Sequence, residues 1–327
     1  MSIKIINGGL MTTIQDYGRI GFQRFGFHVS GAMDKRAYAM ANLLLGNKNR
    51  EAVLEFCLMG PTIEFTEDAV VCITGGDFSP KLNNCPVDMY QAIAIKRGDQ
   101  LSFSYASDGT WGYVGFAGGI EVPVVMGSRS TDIKSQLGGL NGRRLMAGDN
   151  LMLGKNVSEL PLMERRKAPK PTYKKNVTRV RVVLGPQDDY FTSEGMDTFL
   201  HAEYTVSNEC DRMGYRLEGS PITHNEKGAD IISDGIAFGS IQVPKKGLPI
   251  VVLADRQTTG GYTKIATVIG VDIPDFVQRR PGEKVIFEAV SPNEAQRLYL
   301  EEEDRLDALR RRLKKPKKLF RRLFGHK

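Results

Sequence analysis

Glycines bound short apolar runs along most of this chain, and this pattern constrains the fold more than any other feature of the sequence. The run 70–74 ends at Gly75 and Gly76, and the runs 92–95 and 101–105 flank a turn centred on Gly98. Short apolar runs between glycine turns are typical of β-strands, since helices need longer uninterrupted segments. With 35 glycines among 327 residues, the sequence predicts a mainly β protein with a few short helices.

Two segments have helical rather than strand-like spacing. Small and apolar residues recur every three or four positions after Asp34 and stop at Gly46, which predicts a short helix there. Near the C-terminus, Ser291 and Pro292 are favourable residues for the cap and the first turn of another helix. We therefore expect a C-terminal helix after the last strand.

Short motifs recur in the same order in the two halves of the chain. Arg-Ile-Gly-Phe at 19–22 is matched by Arg-Met-Gly-Tyr at 212–215, and the turn and strand at 98–103 are matched at 282–287. A repeated order of motifs indicates repeated structural units. The sequence therefore predicts two related β-barrel halves, residues 1–165 and 166–290, followed by a C-terminal helix and basic tail over residues 291–327.

The formal net charge of +7 is concentrated at the C-terminus. Residues 305–327 contain 11 Lys and Arg against one Asp, a local charge of +10, so the rest of the chain carries −3. A basic segment with apolar residues at 319, 320, 323 and 324 is compatible with contact to an anionic membrane surface or to nucleic acid. So short a segment does not fold alone, and a solvated tail is the favoured interpretation.

Several classes of protein and site are excluded by what the sequence lacks. No run of about 18 apolar residues occurs, and no stretch of signal-peptide length precedes Gln15, so we expect a cytoplasmic protein without a transmembrane segment. The four cysteines form no Cys-x-x-Cys pair and the four histidines are scattered, which predicts free thiols and no metal site. Neither a phosphate-loop motif nor G-x-G-x-x-G occurs, so a nucleotide would need another cradle or a partner's.

Four segments place polar and charged side chains beside glycines, where a backbone can approach a ligand closely. In the first segment, Ser30 and Asp34 are as well suited to cap a helix and to complement its dipole as to act on a ligand. In the second, the hydroxyls around Arg129 either hold an anion or form an ordinary turn. The last delivers polar residues from an apolar strand onto a Gly-Gly turn, which favours a site at a barrel mouth. The segments are 12–34, 127–132, 211–216 and 239–262.

These segments carry a resemblance to a known family. The stretches TIQDYGRxGFQRFG, SGAMD, ANxLxGN, GSRST, RMGYRLEG, GSIQVPxxGxPIVVLADRQTTGGY and PGExVxF occur in this order. Together they resemble the carboxyltransferase subdomain A/B family, which includes the C subunit of 5-oxoprolinase, allophanate hydrolase subunit 2, the antagonist of the Kip sporulation-kinase inhibitor and the carboxyltransferase portion of urea carboxylase. Thr263 departs from the family's usual Pro after Gly-Gly-Tyr, and the basic tail is an addition.

The resemblance implies a fold and a partner. The expected fold is a pair of cyclophilin-like β-barrels with a cleft between them. The expected partner is a chain that resembles the B subunit of 5-oxoprolinase and the Kip inhibitor. No biotin-attachment sequence or biotin carboxylase region occurs in the chain. A free-standing chain of this kind therefore resembles the oxoprolinase protein more than urea carboxylase.

The first functional interpretation is the C subunit of an ATP-dependent 5-oxoprolinase. Such an enzyme opens the cyclic amide 5-oxoproline to glutamate, and its A, B and C subunits share the use of ATP. Two alternatives stay open. One is a regulatory chain that sequesters a Kip-type inhibitor of a histidine kinase, and the other is a biotin-dependent carboxyltransferase acting on a small amide such as urea.

Candidate site residues follow from the chemistry of opening a lactam. The reaction needs cations and donors for oxygens that gain charge, and a carboxylate that orients or deprotonates a nucleophile. On the motif positions, the catalytic candidates are Asp16, Arg19, Asp34, Arg129, Arg212 and Asp255. The candidates for binding the substrate are Gln15, Ser30, Ser128, Thr131, Tyr215, Arg216, Gln242, Gln257 and Tyr262.

Overall fold

The computed structural model describes residues 2–48, 50–155 and 158–313. The strands of the first half are β1 Ser2–Asn7, β2 Met11–Gln15, β3 Val53–Cys57, β4 Thr62–Phe65, β5 Ala69–Asp77, β6 Lys81–Leu82, β7 Cys85–Pro86, β8 Ala92–Ile95, β9 Gln100–Ser102, β10 Asp108–Phe116, β11 Ile120–Glu121 and β12 Asn150–Leu153. The strands of the second half are β13 Val177–Leu184, β14 Tyr204–Cys210, β15 Gly214–Glu218, β16 Asp230–Gly235, β17 Ser240–Val243, β18 Ile250–Val252, β19 Thr259–Val268 and β20 Lys284–Ala289. The α-helices are α1 Lys35–Leu45, α2 Ser193–His201, α3 Ile273–Val277 and α4 Pro292–Leu313. Short 3-10 turns lie at Gln23–Phe25, Met163–Arg165 and Asp188–Tyr190.

The first half consists of two antiparallel sheets that share one core. One sheet has the strand order β11-β12-β1-β4-β9-β6-β7, and the other has the order β2-β3-β10-β5-β8. Strands β3, β5 and β10 are buried almost throughout, so they lack the alternation of a half-exposed strand. The core between the sheets includes Ile5, Leu54, Phe56, Phe65 and Phe116.

The second half is one eight-stranded sheet that closes on itself. Its order is β13-β20-β14-β15-β18-β17-β19-β16, and β13 also pairs with β19. Seven strands therefore form a closed ring, and β16 extends it alongside β19. The core of this barrel includes Val182, Tyr204, Leu217, Val251 and Phe287.

The prediction of a mainly β fold with few helices and a C-terminal helix is confirmed. The boundaries predicted at residues 165 and 290 stay a prediction. Just beyond the first boundary, the Arg166 carbonyl accepts a hydrogen bond from the Ala92 amide at 2.9 Å, and the Ala168 amide donates to the Tyr90 carbonyl at 2.9 Å. The chain therefore stays attached to the first half for several residues before β13 begins.

Gln278, which follows α3, joins the two halves through its side-chain amide. Its Oε1 accepts from the amides of Thr110 at 2.8 Å and Trp111 at 2.9 Å, and its Nε2 donates to the Trp111 carbonyl at 3.0 Å and to Asp34 at 2.9 Å. Arg280 adds two bonds of 2.8 Å to main-chain oxygens of the first half. Because Gln278 is fully buried, these bonds fix one half against the other.

The C-terminal helix α4 begins where the sequence predicts, since the Ser291 hydroxyl accepts from the Glu294 amide at 3.2 Å. Leu306 and Leu309 are partly buried against a small cluster from α1 and β5, and Leu313 belongs to that cluster with 6% exposure. The helix of the second half thus ends packed on the first. The predicted basic tail beyond it lies outside the described residues, among which no helix is long and apolar enough to cross a membrane.

Two identical substitutions in α4 test this packing. Leu313→Ala should lower the free energy of unfolding by about 2–3 kcal/mol, because it leaves a cavity in the cluster. Leu300→Ala, in the same helix but at a position that is 53% exposed, should change it by less than about 0.5 kcal/mol. Chemical denaturation of both variants measures the difference, and equal losses would show that α4 is not anchored at its end.

Candidate functional site

The segment 128–131, predicted as an anion-holding loop, surrounds the carboxylate of Asp16. Asp16 Oδ1 accepts from the hydroxyls of Ser128 and Ser130, both at 2.6 Å, and from the Gly18 amide at 2.8 Å. Its Oδ2 accepts from the Arg129 amide at 2.6 Å. The loop is therefore built to hold an anion, but the anion it holds is a side chain of this protein.

Gln15 and Thr131 complete the same arrangement. Gln15 Nε2 donates to the Thr131 carbonyl at 3.0 Å, and its Oε1 accepts from the Gly31 amide at 3.2 Å. The Thr131 hydroxyl donates to the Ile14 carbonyl at 3.0 Å. These side chains position the loop and the segment before α1, and their proposed roles toward a substrate stay predictions.

Two arginines beside this loop have unused donors. Arg19 is fully buried and donates one bond to the Ser130 carbonyl, while its Nε and Nη1 have no hydrogen-bond partner in the described residues. Burial lowers the pKa of Arg19, against the opposing charges of Asp132 and Asp16. Arg129 also has a buried Nε without a partner among those residues. The structure thus brings these two predicted catalytic cations to the same loop.

Arg212 and Asp255, predicted from separate segments, form a buried ion pair where the halves meet. Arg212 Nε donates to one carboxylate oxygen of Asp255 at 2.8 Å, and its Nη2 donates to the other at 3.0 Å. Arg212 also donates to the carboxylate of Glu55, and its Nη2 donates to the Gly31 carbonyl at 2.7 Å. Burial alone would lower the pKa of Arg212, but the charges of Asp255 and Glu55 raise it.

Glu55 lies in the apolar strand β3 and has a full set of donors. Its second oxygen accepts from the Met33 amide at 2.8 Å and from the Tyr113 hydroxyl at 2.9 Å. Burial raises the pKa of Glu55, and Arg212 opposes this shift. The sequence analysis missed Glu55 and Tyr113. An acidic residue inside a short apolar strand was the available signal.

Asp34 and Ser30, also predicted site residues, have different environments. The carboxylate of Asp34 caps α1 by accepting from the Ala37 amide at 2.8 Å, so the cap is Asp34 and the expectation that Ser30 could fill this role is wrong. The reason is that Ser30 lies four residues earlier with a left-handed φ of 54°. Its hydroxyl is buried without a partner in the described residues. Burial raises the pKa of Asp34.

Tyr215 is held inside the protein by two hydrogen bonds. Its hydroxyl accepts from Trp111 Nε1 at 2.8 Å and donates to the Val277 carbonyl at 2.8 Å. The side chain is 1% exposed. This geometry gives Tyr215 a part in joining the halves, and its predicted contact with a substrate stays untested.

A cavity of about 490 Å³ collects the remaining predicted binding residues. Side chains alternate between the two faces of a strand, and Tyr215, Leu217 and Val251 face the barrel core. The intervening residues of β15, β17 and β18 line the cavity, which therefore lies on the outward face of the sheet rather than at the barrel mouth we expected. The lining includes Arg216, Gln242, Gln257 and Tyr262, together with Arg256.

The cavity presents both amide and guanidinium groups. Arg216 is paired with Glu209 at 2.9 Å, and Gln242 has a buried Nε2 without a hydrogen-bond partner in the described residues. Gln23 of the first half reaches this region, since its Nε2 donates to the Ile236 carbonyl at 2.9 Å and its Oε1 accepts from Arg256 at 3.3 Å. The cavity thus lies on the second half with the first half at its edge.

Neither a metal nor a reactive thiol is indicated at this site. Among the described residues no group of three or more His, Cys, Asp and Glu side chains could hold a metal ion. Cys57 and Cys210 lie near the junction as free thiols. Burial raises the pKa of Cys57 to about 11.

Comparison with known proteins identifies the family. The model of the carboxyltransferase domain, subdomain A and B, matches residues 25–289, so the chain belongs to this family. Similar proteins include the C subunit of 5-oxoprolinase from Haemophilus influenzae, 38% identical over 94% of this chain and 98% of that protein, and its counterpart from Escherichia coli K12, 37% identical over 92% and 97%. The crystal structure of the Kluyveromyces lactis urea carboxylase is similar with a TM-score of 0.87 and 28% identity. It matches 96% of this chain, which spans 30% of that chain.

The buried pair at the junction can be tested against an exposed one. Arg212→Met should lower the free energy of unfolding by about 3–5 kcal/mol, because Glu55 and Asp255 lose their counter-charge. Arg216→Met removes an exposed pair with Glu209 and should cost less than about 1 kcal/mol. Urea titration of the two variants provides the comparison, and a mild effect of Arg212→Met would mean that the junction does not rely on its charge.

Proposed function

We propose that this chain is the C subunit of an ATP-dependent 5-oxoprolinase, which opens 5-oxoproline to glutamate together with the A and B subunits. The observation that carries the proposal is its 38% identity to a 5-oxoprolinase protein of this type over nearly the full length of both chains. The cavity on the second half supports it, because its volume of about 490 Å³ is in the range that holds small molecules.

The lining of the cavity suits a small cyclic amide. An amide presents one donor and one acceptor, and the side chains of Gln242 and Gln257 offer the complementary pair. Tyr262 adds a partly exposed ring and hydroxyl. In this proposal the glutamines orient the lactam, and Tyr262 covers one of its faces.

Asp255 is the carboxylate best placed to act on a nucleophile in this proposal. It immediately precedes the cavity residue Arg256, and its side chain remains 14% exposed. Both of its oxygens are held by Arg212, so the guanidinium would fix the orientation of the carboxylate. Addition to the lactam carbonyl places charge on its oxygen, which a nearby cation or donor stabilises.

The binding of ATP is assigned to the assembled complex. The loop 127–131 does not fit a phosphate, because its two serine hydroxyls and the Arg129 amide are already bonded to Asp16. The sequence also lacks a phosphate-loop motif. We therefore place the nucleotide with the A and B subunits, and this chain contributes the lactam cavity.

Carboxyl transfer from biotin to a small amide is the second candidate function. The similarity to the urea carboxylase structure, with a TM-score of 0.87, is the observation that favours it. A biotin carrier would have to come from another chain. Consumption of carboxylated biotin carrier by this chain, without any need for ATP in that step, would support this candidate over lactam hydrolysis.

The first functional prediction concerns assembly. Glutamate formation from 5-oxoproline and ATP should require the A, B and C subunits together, and this chain alone should give none. Asp255→Asn, which keeps the size of the side chain, should lower kcat of the assembled complex at least about a hundredfold if Asp255 is the base. Full turnover by the isolated chain, or none by the three proteins together, would refute the proposal.

A second functional prediction concerns the cavity. Gln257→Ala should raise KM for 5-oxoproline about tenfold, because a hydrogen bond to the substrate is worth about 1–1.5 kcal/mol. Gln100→Ala, at an exposed position on β9 outside the cavity, is the matched control and should leave KM unchanged. If both variants behave alike, the substrate does not occupy this cavity.

A further inference from the structure

Two cations and two aromatic rings meet where α1 approaches the second half, and we call them the cationic cluster: Lys35, Arg256, Tyr17 and Phe238. Lys35 Nζ lies 4.9 Å from the ring centroid of Phe238 and 4.9 Å from that of Tyr17. Arg256 Cζ lies 5.7 Å from the Phe238 centroid. Each half therefore contributes one cation and one ring.

The cationic cluster has no counter-charge within the described part of the chain. Arg256 donates only to neutral oxygens, those of Ile236 at 2.9 Å, Leu253 at 3.3 Å and Gln23 at 3.3 Å. Lys35 makes only the two ring contacts. The nearest acids along the chain are already engaged, because Asp255 is paired with Arg212 and Asp34 caps α1.

Burial without a counter-ion is unfavourable for these two side chains. Arg256 is 8% exposed, and burial lowers its pKa to about 10. Burial, followed by the charge of Arg256, lowers the pKa of Lys35. Buried charges in proteins are normally paired, and cation–π contacts compensate only part of the lost hydration. An anion from outside the chain would supply what the cluster lacks.

We propose that Lys35 and Arg256 together bind the oxyanion group of the small ligand that occupies the cavity. Arg256 lines that cavity, and Lys35 faces the same Phe238 ring from the first half. A carboxylate would thus be held between the halves while the rest of the ligand lies against Gln242 and Gln257. For the proposed 5-oxoprolinase the oxyanion is the substrate carboxylate, and this identification rests on the proposed function. A phosphate presents the same oxygens.

Calorimetric titration of the full chain and of the assembled complex can separate these ligands. The probes are 5-oxoproline, pyrrolidin-2-one, which is the same lactam without the carboxylate, and inorganic phosphate. 5-Oxoproline should bind at least about tenfold more tightly than pyrrolidin-2-one, since a charged hydrogen bond is worth about 1.5–3 kcal/mol. Lys35→Met should remove this preference and leave the binding of pyrrolidin-2-one unchanged.

Matched variants exclude general effects on charge or folding. Lys35→Arg should retain the preference, and so should Lys4→Met, an exposed lysine on β1. Arg256→Lys keeps the charge but loses hydrogen bonds, so it should weaken 5-oxoproline binding less than Arg256→Gln does. Lys35 has no hydrogen bond to lose within the described chain, so its Met variant should fold normally, which a melting curve checks. Equal affinity of 5-oxoproline for wild type and Lys35→Met would overturn the proposal.

The outcomes also separate this inference from the proposed function. Turnover of 5-oxoproline with an unchanged KM in Lys35→Met would refute the oxyanion site and leave the enzyme assignment intact. Binding of inorganic phosphate that depends on Lys35 and Arg256, in a complex without 5-oxoprolinase activity, would support the site and assign its oxyanion to a phosphate. Absence of binding by any of the three probes to chain or complex would refute the site.

Discussion

The guanidinium of Arg212 is the interaction on which the junction of the two halves depends. It belongs to the second half, yet it donates to Glu55 and to the Gly31 carbonyl of the first half as well as to Asp255 of its own. An arginine does not lose its proton in a protein, so two buried carboxylates keep a permanent counter-charge. Replacing such a network by apolar residues would require coordinated changes in both halves, because removal of one member leaves the others unpaired.

The same network reaches α1 through a pair of neighbouring strands. Glu55 on β3 lies opposite Tyr113 on β10, and the Tyr113 hydroxyl donates to Glu55 and accepts from the Asp34 amide at 2.8 Å. Asp34 in turn caps the helix that begins with Lys35. The ion pair in the junction and the start of α1 are therefore parts of one hydrogen-bonded unit. A change at Glu55 would disturb both the carboxylate of Asp255 and the position of Lys35.

The sequence was sufficient for the local features and insufficient for the long-range pairs. Glycine-bounded runs predicted the strands, and Ser291 predicted the start of α4, since both signals involve neighbouring residues. The partner of Arg212 was missed because Glu55 is 157 positions away inside an apolar strand. Asp16 is a catalytic candidate by its motif, and no local pattern shows its bond to Ser128, which is 112 positions away. Polar residues beside glycines marked the segments that meet at the junction, but not which of them bind each other.

The consecutive residues Asp255 and Arg256 show how pairing determines which charges remain for a ligand. They follow the buried strand β18, and an acid beside a base would ordinarily neutralise it. Arg212 prevents this here, because it occupies both oxygens of Asp255. Arg256 is left with neutral acceptors at the cavity wall. The strong pair inside the junction thus keeps a weakly compensated cation at its edge, where it can attract a small anion.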